Sequence, residues 1–110
     1  MIDWQRVAEL EEEVGQDGLC EVITLFLEET DEVMARLSTD AAPQQLGRDL
    51  HFLKGSALNL GLRALAQLCQ EGERLCDSGG AGRINLPLLR HLYEESKTAL
   101  RAGQANRPAA

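Results

Sequence analysis

A histidine, a lysine and a glycine stand within about one helical turn of each other, at His51, Lys54 and Gly55. Residues three and four apart are neighbours on a helix surface, so these three positions would form one small patch. A neutral imidazole is a nucleophile near pH 7, and it can accept a group covalently and then pass it on. The lysine offers a cation for an anionic product, and the glycine leaves room for a large partner. The patch therefore offers the groups needed for covalent transfer of an anionic group through His51, and an ordinary exposed surface histidine is the alternative.

An amphipathic helix must hold this patch, because apolar residues recur around it at alternating steps of four and three. They are Leu46, Leu50, Leu53, Ala57 and Leu60. At about 100° per residue, His51 lies roughly 140° from the centre of this stripe, Gly55 almost opposite it and Lys54 at its border. A glycine inside an exposed helix costs about 0.5–1 kcal/mol relative to alanine. We therefore expect a solvent-exposed His51 imidazole and close approach of another surface at Gly55.

The residues from His51 onward resemble the signature of the histidine-containing phosphotransfer (HPt) family, roughly His-x-Leu-Lys-Gly-Ser-Ser/Ala-x-x-hydrophobic-Gly-hydrophobic. The matching residues are His51, Leu53, Lys54, Gly55, Ser56, Ala57, Leu60, Gly61 and Leu62. The run Phe-Leu-Glu-Glu-Thr at residues 26–30 is similar to a segment common in the helix before the histidine helix. Ala57 stands where many members carry serine, and Leu62 where many carry alanine. The resemblance extends over about residues 3 to 100.

This resemblance implies a histidine phosphocarrier in a multistep two-component phosphorelay. His51 would be phosphorylated, Lys54 would stabilise the phosphate and Gly55 would give clearance to the partner. The implied partner is the receiver domain of a response regulator, whose aspartate exchanges the phosphoryl group reversibly with His51; a hybrid histidine kinase is a second candidate. Phosphoryl transfer also needs a metal ion, and no metal-binding carboxylate cluster is visible near His51. We therefore expect no cofactor or metal in this chain, and Mg²⁺ on the receiver domain.

Four residues around the patch are candidate partner-binding residues, and each has a second interpretation. Arg48 lies three residues before His51 on the same face, where it could contact the phosphate or the partner, or only solvent. Phe52, Leu58 and Leu62 flank the patch outside the main stripe. They could form an apolar docking rim or pack against neighbouring helices, and the sequence leaves both open.

The rest of the chain predicts an all-α fold, since apolar residues recur with helical period and no strand-like alternation occurs. We expect an antiparallel up-down four-helix bundle with an additional short N-terminal helix across one end. The short helix would begin after Asp3 and end at Gly15, and Asp17 would cap the next. The histidine helix would stop near Gly61, and Asn85 would cap the last helix. Residues 1–103 would form the bundle domain and residues 104–110 a disordered tail.

Composition excludes several classes of function. The chain has 110 residues, enough for one domain, and a net charge of −7, which argues against nucleic acid. Twelve acids and two bases fall in residues 1–40, whereas residues 41–70 hold one acid and three bases. This mildly positive stretch either has no functional meaning or attracts an acidic partner site or a phosphoryl group. No apolar run has the length of a membrane span and no signal-peptide pattern opens the chain, so we expect a cytoplasmic monomer without membrane contact.

No nucleotide-binding motif or nucleophile–base–acid set is visible, so we do not expect an enzyme acting alone on a small molecule. Cys20, Cys69 and Cys76 lack compact zinc-ligand spacing, and we expect buried, reduced packing thiols. A metal-binding bundle is a third interpretation, but it would need a second ligand at helical spacing from His51, and the sequence has none there. The alternative from another class is a non-phosphorylated helical adaptor that binds a receiver domain or a histidine kinase. The carrier is favoured because an adaptor would not need both His51 and Lys54.

Overall fold

Four α-helices make up most of the computed structural model, which describes residues 2–38, 40 and 42–105. They are α1 (Trp4–Arg36), α2 (Pro43–Asn59), α3 (Arg63–Asp77) and α4 (Leu86–Ala105), with a 3₁₀ turn at Ala81–Arg83. Within these ranges the only β pairing is an isolated bridge between Ile2 and Leu62. The predicted all-α class is confirmed. Residues 104 and 105 of the predicted tail belong to α4, and residues 106–110 lie outside the described residues.

Side-chain and glycine signals fix several helix ends at the predicted places. The Asp3 carboxylate accepts a hydrogen bond from the Arg6 backbone N–H at 3.4 Å and caps α1. Asn85 Oδ1 accepts from the Leu88 backbone N–H at 3.0 Å at the start of α4. Gly61 follows α2 with a φ of 76°, a left-handed conformation that glycine adopts without steric cost. This tight turn lets α3 fold back directly against α2.

The first two predicted helices lie within the single range α1, on either side of one non-helical residue. Inside α1, Gly15 has φ 80° and ψ 171°, so the chain is broken there as the sequence predicts. Helical turns resume directly on both sides of that single residue. The separate short N-terminal helix is therefore not confirmed.

Neighbouring helices run antiparallel, as the contacts between them reveal. Arg36 of α1 donates to Asp49 of α2 at 2.9 Å, whereas near the other end Arg6 of α1 donates to Asn59 of α2 at 3.0 Å. The helices α1 and α4 are also antiparallel. Tyr93 and Lys97 of α4 donate to Asp31 of α1, and the earlier Arg90 donates to the carbonyl of the later Met34. The chain is thus a helical bundle.

The predicted stripe of α2 is the centre of the core. Leu46, Leu50, Leu53, Ala57 and Leu60 are each at most 1 % exposed. Gly72 of α3 lies directly against this stripe, since a Cβ added there would come within 2.8 Å of Leu50 Cδ1. This close packing fixes the rotation of α2 about its axis, and therefore the direction in which His51 points.

Two groups of predicted core residues differ from expectation. Trp4, Val14 and Leu88 recur with the helical period of the apolar residues in their segments, which predicts burial, but they are 45 %, 42 % and 43 % exposed. Of the cysteines, Cys69 is buried and Cys76 half-buried, whereas Cys20 is exposed because it follows the buried Leu19 and turns outward. Burial raises the pKa of the Cys69 thiol to about 12, so this residue packs as a neutral, apolar group.

The contact between Tyr93 and Asp31 makes stability depend on pH. The buried Tyr93 hydroxyl donates to Asp31 Oδ1, and this hydrogen bond lowers the pKa of the Asp31 carboxyl. A carboxyl with a lowered pKa in the folded state stabilises the fold above its unfolded pKa of about 3.9. That contribution is lost as the pH falls through the folded pKa.

We expect Tyr93→Phe to lower the free energy of unfolding by about 1 kcal/mol at pH 7, because it removes this hydrogen bond. The variant should also lose less stability than the wild type between about pH 5 and pH 2. Urea titrations across this pH range measure both effects. Equal acid-dependent losses in the two proteins would contradict a stabilising role for the bond.

Candidate functional site

His51 lies on the outer face of α2, as its offset from the apolar stripe predicts. Its side chain is 73 % exposed, whereas the preceding residue, Leu50, is fully buried. The predicted exposure of the imidazole is therefore confirmed. A partner can reach the ring without any rearrangement of the bundle.

Glu73 of α3 joins the two residues that the sequence analysis singled out. Its Oε2 atom lies 3.2 Å from His51 Nδ1, and its Oε1 atom lies 3.1 Å from Lys54 Nζ. Sequence reasoning missed Glu73, although a signal existed. Because Gly61 makes a tight hairpin, residues at similar distances before and after it face each other. His51 stands ten positions before that glycine and Glu73 twelve after it.

The contact with Glu73 distinguishes the two ring nitrogens of His51. An ionised carboxylate can only accept hydrogen bonds, so the bond requires a proton on Nδ1. In a neutral imidazole the proton then resides on Nδ1 and the lone pair on Nε2. The nitrogen with the lone pair is the nucleophile, and here it is the one that Glu73 does not contact.

Lys54 is held beside the histidine by an ion pair. Its side chain is 24 % exposed and that of Glu73 is 21 % exposed, so both charges are partly withdrawn from water. Glu73 Oε1 is inaccessible to solvent and lacks a hydrogen bond of good geometry, so its contact with the ammonium is electrostatic. Lys54 therefore has donor capacity left for a second anion close to His51.

The charges around the site also favour an anionic partner. Asp49 is the one acid between residues 41 and 70. Its side chain is 7 % exposed and accepts hydrogen bonds from Arg36 at 2.9 Å and Gln45 at 3.1 Å. The outer face of α2 consequently presents no carboxylate of its own. Glu73, contributed by α3, is the nearest acid to the imidazole that the structure describes, and Lys54 balances its charge.

A groove opens beside His51 on the side of the N-terminal half of α2. It has a volume of about 820 Å³ and lies between α2 and the C-terminal half of α3. Arg48, Phe52 and Glu73 line it together with His51. Arg48 donates to Gln45 Oε1 at 2.9 Å and is exposed at the edge of the groove.

The four candidate partner-binding residues do not form one rim. Phe52 and Leu58 are 38 % and 55 % exposed and, like Arg48, are accessible to a partner. Leu62 is 1 % exposed, so its assignment to the docking rim is wrong. It follows the turn at Gly61, pairs with Ile2 in the isolated bridge and packs into the core.

A comparison with protein-family models bears on this site. The model of the Hpt domain matches residues 21–106, which include α2, α3 and the whole site. This chain belongs to the Hpt domain family. Neither the curated proteins nor the solved structures gave a match. The matched region begins beyond the break at Gly15, so the match does not extend to the first turns of α1.

The described part of this Hpt domain contains neither a membrane-spanning helix nor a metal-binding cluster. None of its described helices combines the length and apolar character that crossing a membrane requires. Across residues 2–38, 40 and 42–105, no group of three or more His, Cys, Asp or Glu side chains could hold a metal ion.

Gly55 is not explained by the packing of the Hpt domain. Its φ is not in the left-handed region, and a Cβ added there would meet no described atom within 4 Å beyond its own helical turn. An alanine would therefore fit and would favour the helix. The glycine is consistent with clearance for another molecule.

We expect Gly55→Ala to raise the free energy of unfolding by about 0.5–1 kcal/mol, because alanine is the better helix former. Gly72→Ala is the matched contrast, since its Cβ would clash with Leu50. Overpacking of this kind costs about 1–3 kcal/mol. Denaturant titrations of both variants measure the two changes. A destabilising Gly55→Ala would mean that the fold itself requires this glycine.

Proposed function

We propose that this Hpt domain is a histidine phosphocarrier of a multistep two-component phosphorelay. It would exchange a phosphoryl group between His51 and the aspartate of a response-regulator receiver domain. The observation that carries the proposal is the pair of contacts that Glu73 makes. They leave the lone pair on Nε2 of the exposed His51 side chain and hold a cation beside this residue.

The proposed transfer is a single in-line displacement. Nε2 of His51 attacks the phosphorus of the partner's aspartyl phosphate. The bond between phosphorus and the aspartate oxygen breaks as the bond between phosphorus and Nε2 forms. The aspartate leaves as a carboxylate, and Nδ1 keeps its proton. The ring thereby gains positive charge, which the Glu73 carboxylate at 3.2 Å stabilises.

Lys54 and Gly55 have different tasks in this proposal. The Lys54 ammonium, held next to the imidazole, attracts the oxygens of the phosphoryl group during and after transfer. Gly55 keeps the surface one turn beyond His51 low, so that the partner can bring its phosphoryl group in line with Nε2. Lys54 thus stabilises the charge of the transferred group, whereas Gly55 only provides space for the partner.

The partner supplies what this chain is not expected to carry. A receiver domain would bring the phosphorylatable aspartate and the Mg²⁺ that neutralises charge on the transferred group. The carrier would need neither a nucleotide site nor a cofactor of its own, and a hybrid histidine kinase could be the second partner. We further propose that the domain acts as a monomer in the cytoplasm.

The proposal can be tested with a panel of isolated receiver domains from the source organism. Each receiver is phosphorylated on its aspartate with labelled acetyl phosphate and Mg²⁺, separated from the donor and mixed with this protein. We expect at least one receiver to transfer its label, giving an acid-labile, base-stable phosphohistidine at His51. Tight binding to a receiver without any phosphohistidine would instead support a non-phosphorylated adaptor.

A further inference from the structure

Two glycines flank His51 symmetrically on α2. Gly47 lies four residues before it and Gly55 four residues after it. Positions four apart form one ridge along a helix surface, so the imidazole rises from a row whose two neighbours have no side chain. Eight residues at 1.5 Å each place these glycines about 12 Å apart. The proposed clearance for the partner explains the glycine at position 55, but it does not explain the glycine at position 47.

The fold does not require Gly47. Its φ, like that of Gly55, is not in the left-handed region. An added Cβ would have Cys76 Cβ at 3.7 Å as its nearest neighbour beyond its own helical turn, which is an ordinary van der Waals distance. An interior glycine nevertheless costs helix stability. A reason outside the packing of the domain is therefore needed.

The groove beside His51 offers that reason. Gly47 lines it, and a larger side chain at this position would fill it. The charged residues lining the groove are Arg48, Glu73 and Asp77. Glu73 is engaged by Lys54 and His51, whereas Asp77, the last residue of α3, adds a second carboxylate to the lining. Arg48 meets the neutral Gln45 Oε1, and no described carboxylate lies within ion-pair distance of its guanidinium.

We infer that the receiver domain docks lengthwise along α2, over both glycines, with part of it seated in the groove at Gly47. Arg48 meets a carboxylate on that part of the receiver. The inference rests on the proposed function and adds the side of His51 on which the partner sits. The charge of Arg48, which meets only the neutral Gln45, supports this occupant, since a surface that presents an aspartate and Mg²⁺-binding carboxylates is anionic around its centre.

Two substitutions and two matched controls test the inference. Gly47→Gln fills the groove, and Gly82→Gln puts the same side chain on an open glycine of the 3₁₀ turn, away from α2. Arg48→Gln removes the charge at the groove, and Arg63→Gln removes an exposed charge at the start of α3. Glutamine forms helices better than glycine, so Gly47→Gln should fold, which thermal unfolding verifies.

Titrations of each variant against an unphosphorylated receiver measure docking apart from transfer. We expect Gly47→Gln to raise the Kd about tenfold, because it obstructs a buried part of the interface. Arg48→Gln should raise it about threefold, mainly through slower association, and the difference should shrink in about 0.5 M salt. Both controls should stay within about twofold of the wild type.

The outcomes separate the inference from the proposed function. If the wild type forms phosphohistidine but Gly47→Gln binds as Gly82→Gln does, the groove is not the docking site and the carrier function stands. If Gly47→Gln weakens binding and the wild type never forms phosphohistidine, the docking inference survives and the carrier function fails. If no receiver binds the wild type at all, both are wrong.

Discussion

Replacing His51 with glutamine is expected to abolish phosphoryl acceptance and leave the fold nearly intact. Glutamine has no nucleophilic ring nitrogen, so the attack on the aspartyl phosphate has no donor of electrons. The His51 side chain is 73 % exposed, and substitutions at such sites usually change stability by no more than about 0.5 kcal/mol. The loss of its contact with Glu73 leaves that carboxylate paired with Lys54.

His91→Gln is the matched control for this prediction. His91 is also an exposed helical histidine, with a side chain that is 67 % exposed and paired with Glu95 four residues on. It lies on α4, and neither a lysine nor a glycine accompanies it within the following turn. With a phosphorylated receiver as donor, the control should take up label like the wild type, and His51→Gln none within detection. Label that persists in His51→Gln, or that moves to His91, would contradict the assignment.

The sequence predicted the parts of the site that depend on one helix. The stripe from Leu46 to Leu60 fixes which face of α2 is buried, and therefore that His51 is exposed. Gly61 is recognisable as a helix-ending glycine because it follows that stripe directly. Local signals of this kind need no knowledge of neighbouring helices, which explains why the caps at Asp3 and Asn85 were also predicted.

The parts that depend on two helices were not predicted. Glu73 belongs to the site only because the hairpin at Gly61 brings α3 over α2 in one register. For Leu62 the sequence left a docking rim and packing against neighbouring helices open, and only the contacts between helices place it in the core. At Gly15 the break was recognised, but a pattern cannot tell a kink within one helix from a boundary between two. Interhelical register is a property of packing, so single-helix periodicity leaves it undetermined.

Replacing Lys54 with alanine is expected to slow transfer far more than it weakens binding. The ammonium acts on charge that the phosphoryl group presents only during and after its transfer, and such interactions affect rate rather than ground-state affinity. Removing one donor of this kind typically costs about 10²-fold in rate. The Kd for the receiver should change less than about threefold, because Lys54 is half-buried against Glu73 and offers little surface for a partner to contact.

Gly55→Gln should have the opposite signature. Its side chain would project from the outer face of α2 into open space, about one turn from His51, and so obstruct the approach of the receiver. We expect a rise of about tenfold or more in Kd, with a smaller change in the transfer rate at saturating receiver. Time courses of label transfer at several receiver concentrations separate the two parameters for both variants.

The contrast between the two variants decides between a carrier and an adaptor. In a carrier, the charge of Lys54 and the space at Gly55 serve different steps, so one substitution changes the saturated rate and the other the receiver concentration at half-saturation. In an adaptor, both residues would serve the same contact, and both substitutions would alter Kd alone. Equal effects on binding, with no phosphohistidine in the wild type, would therefore leave His51 as part of a docking surface and not as a phosphoryl acceptor.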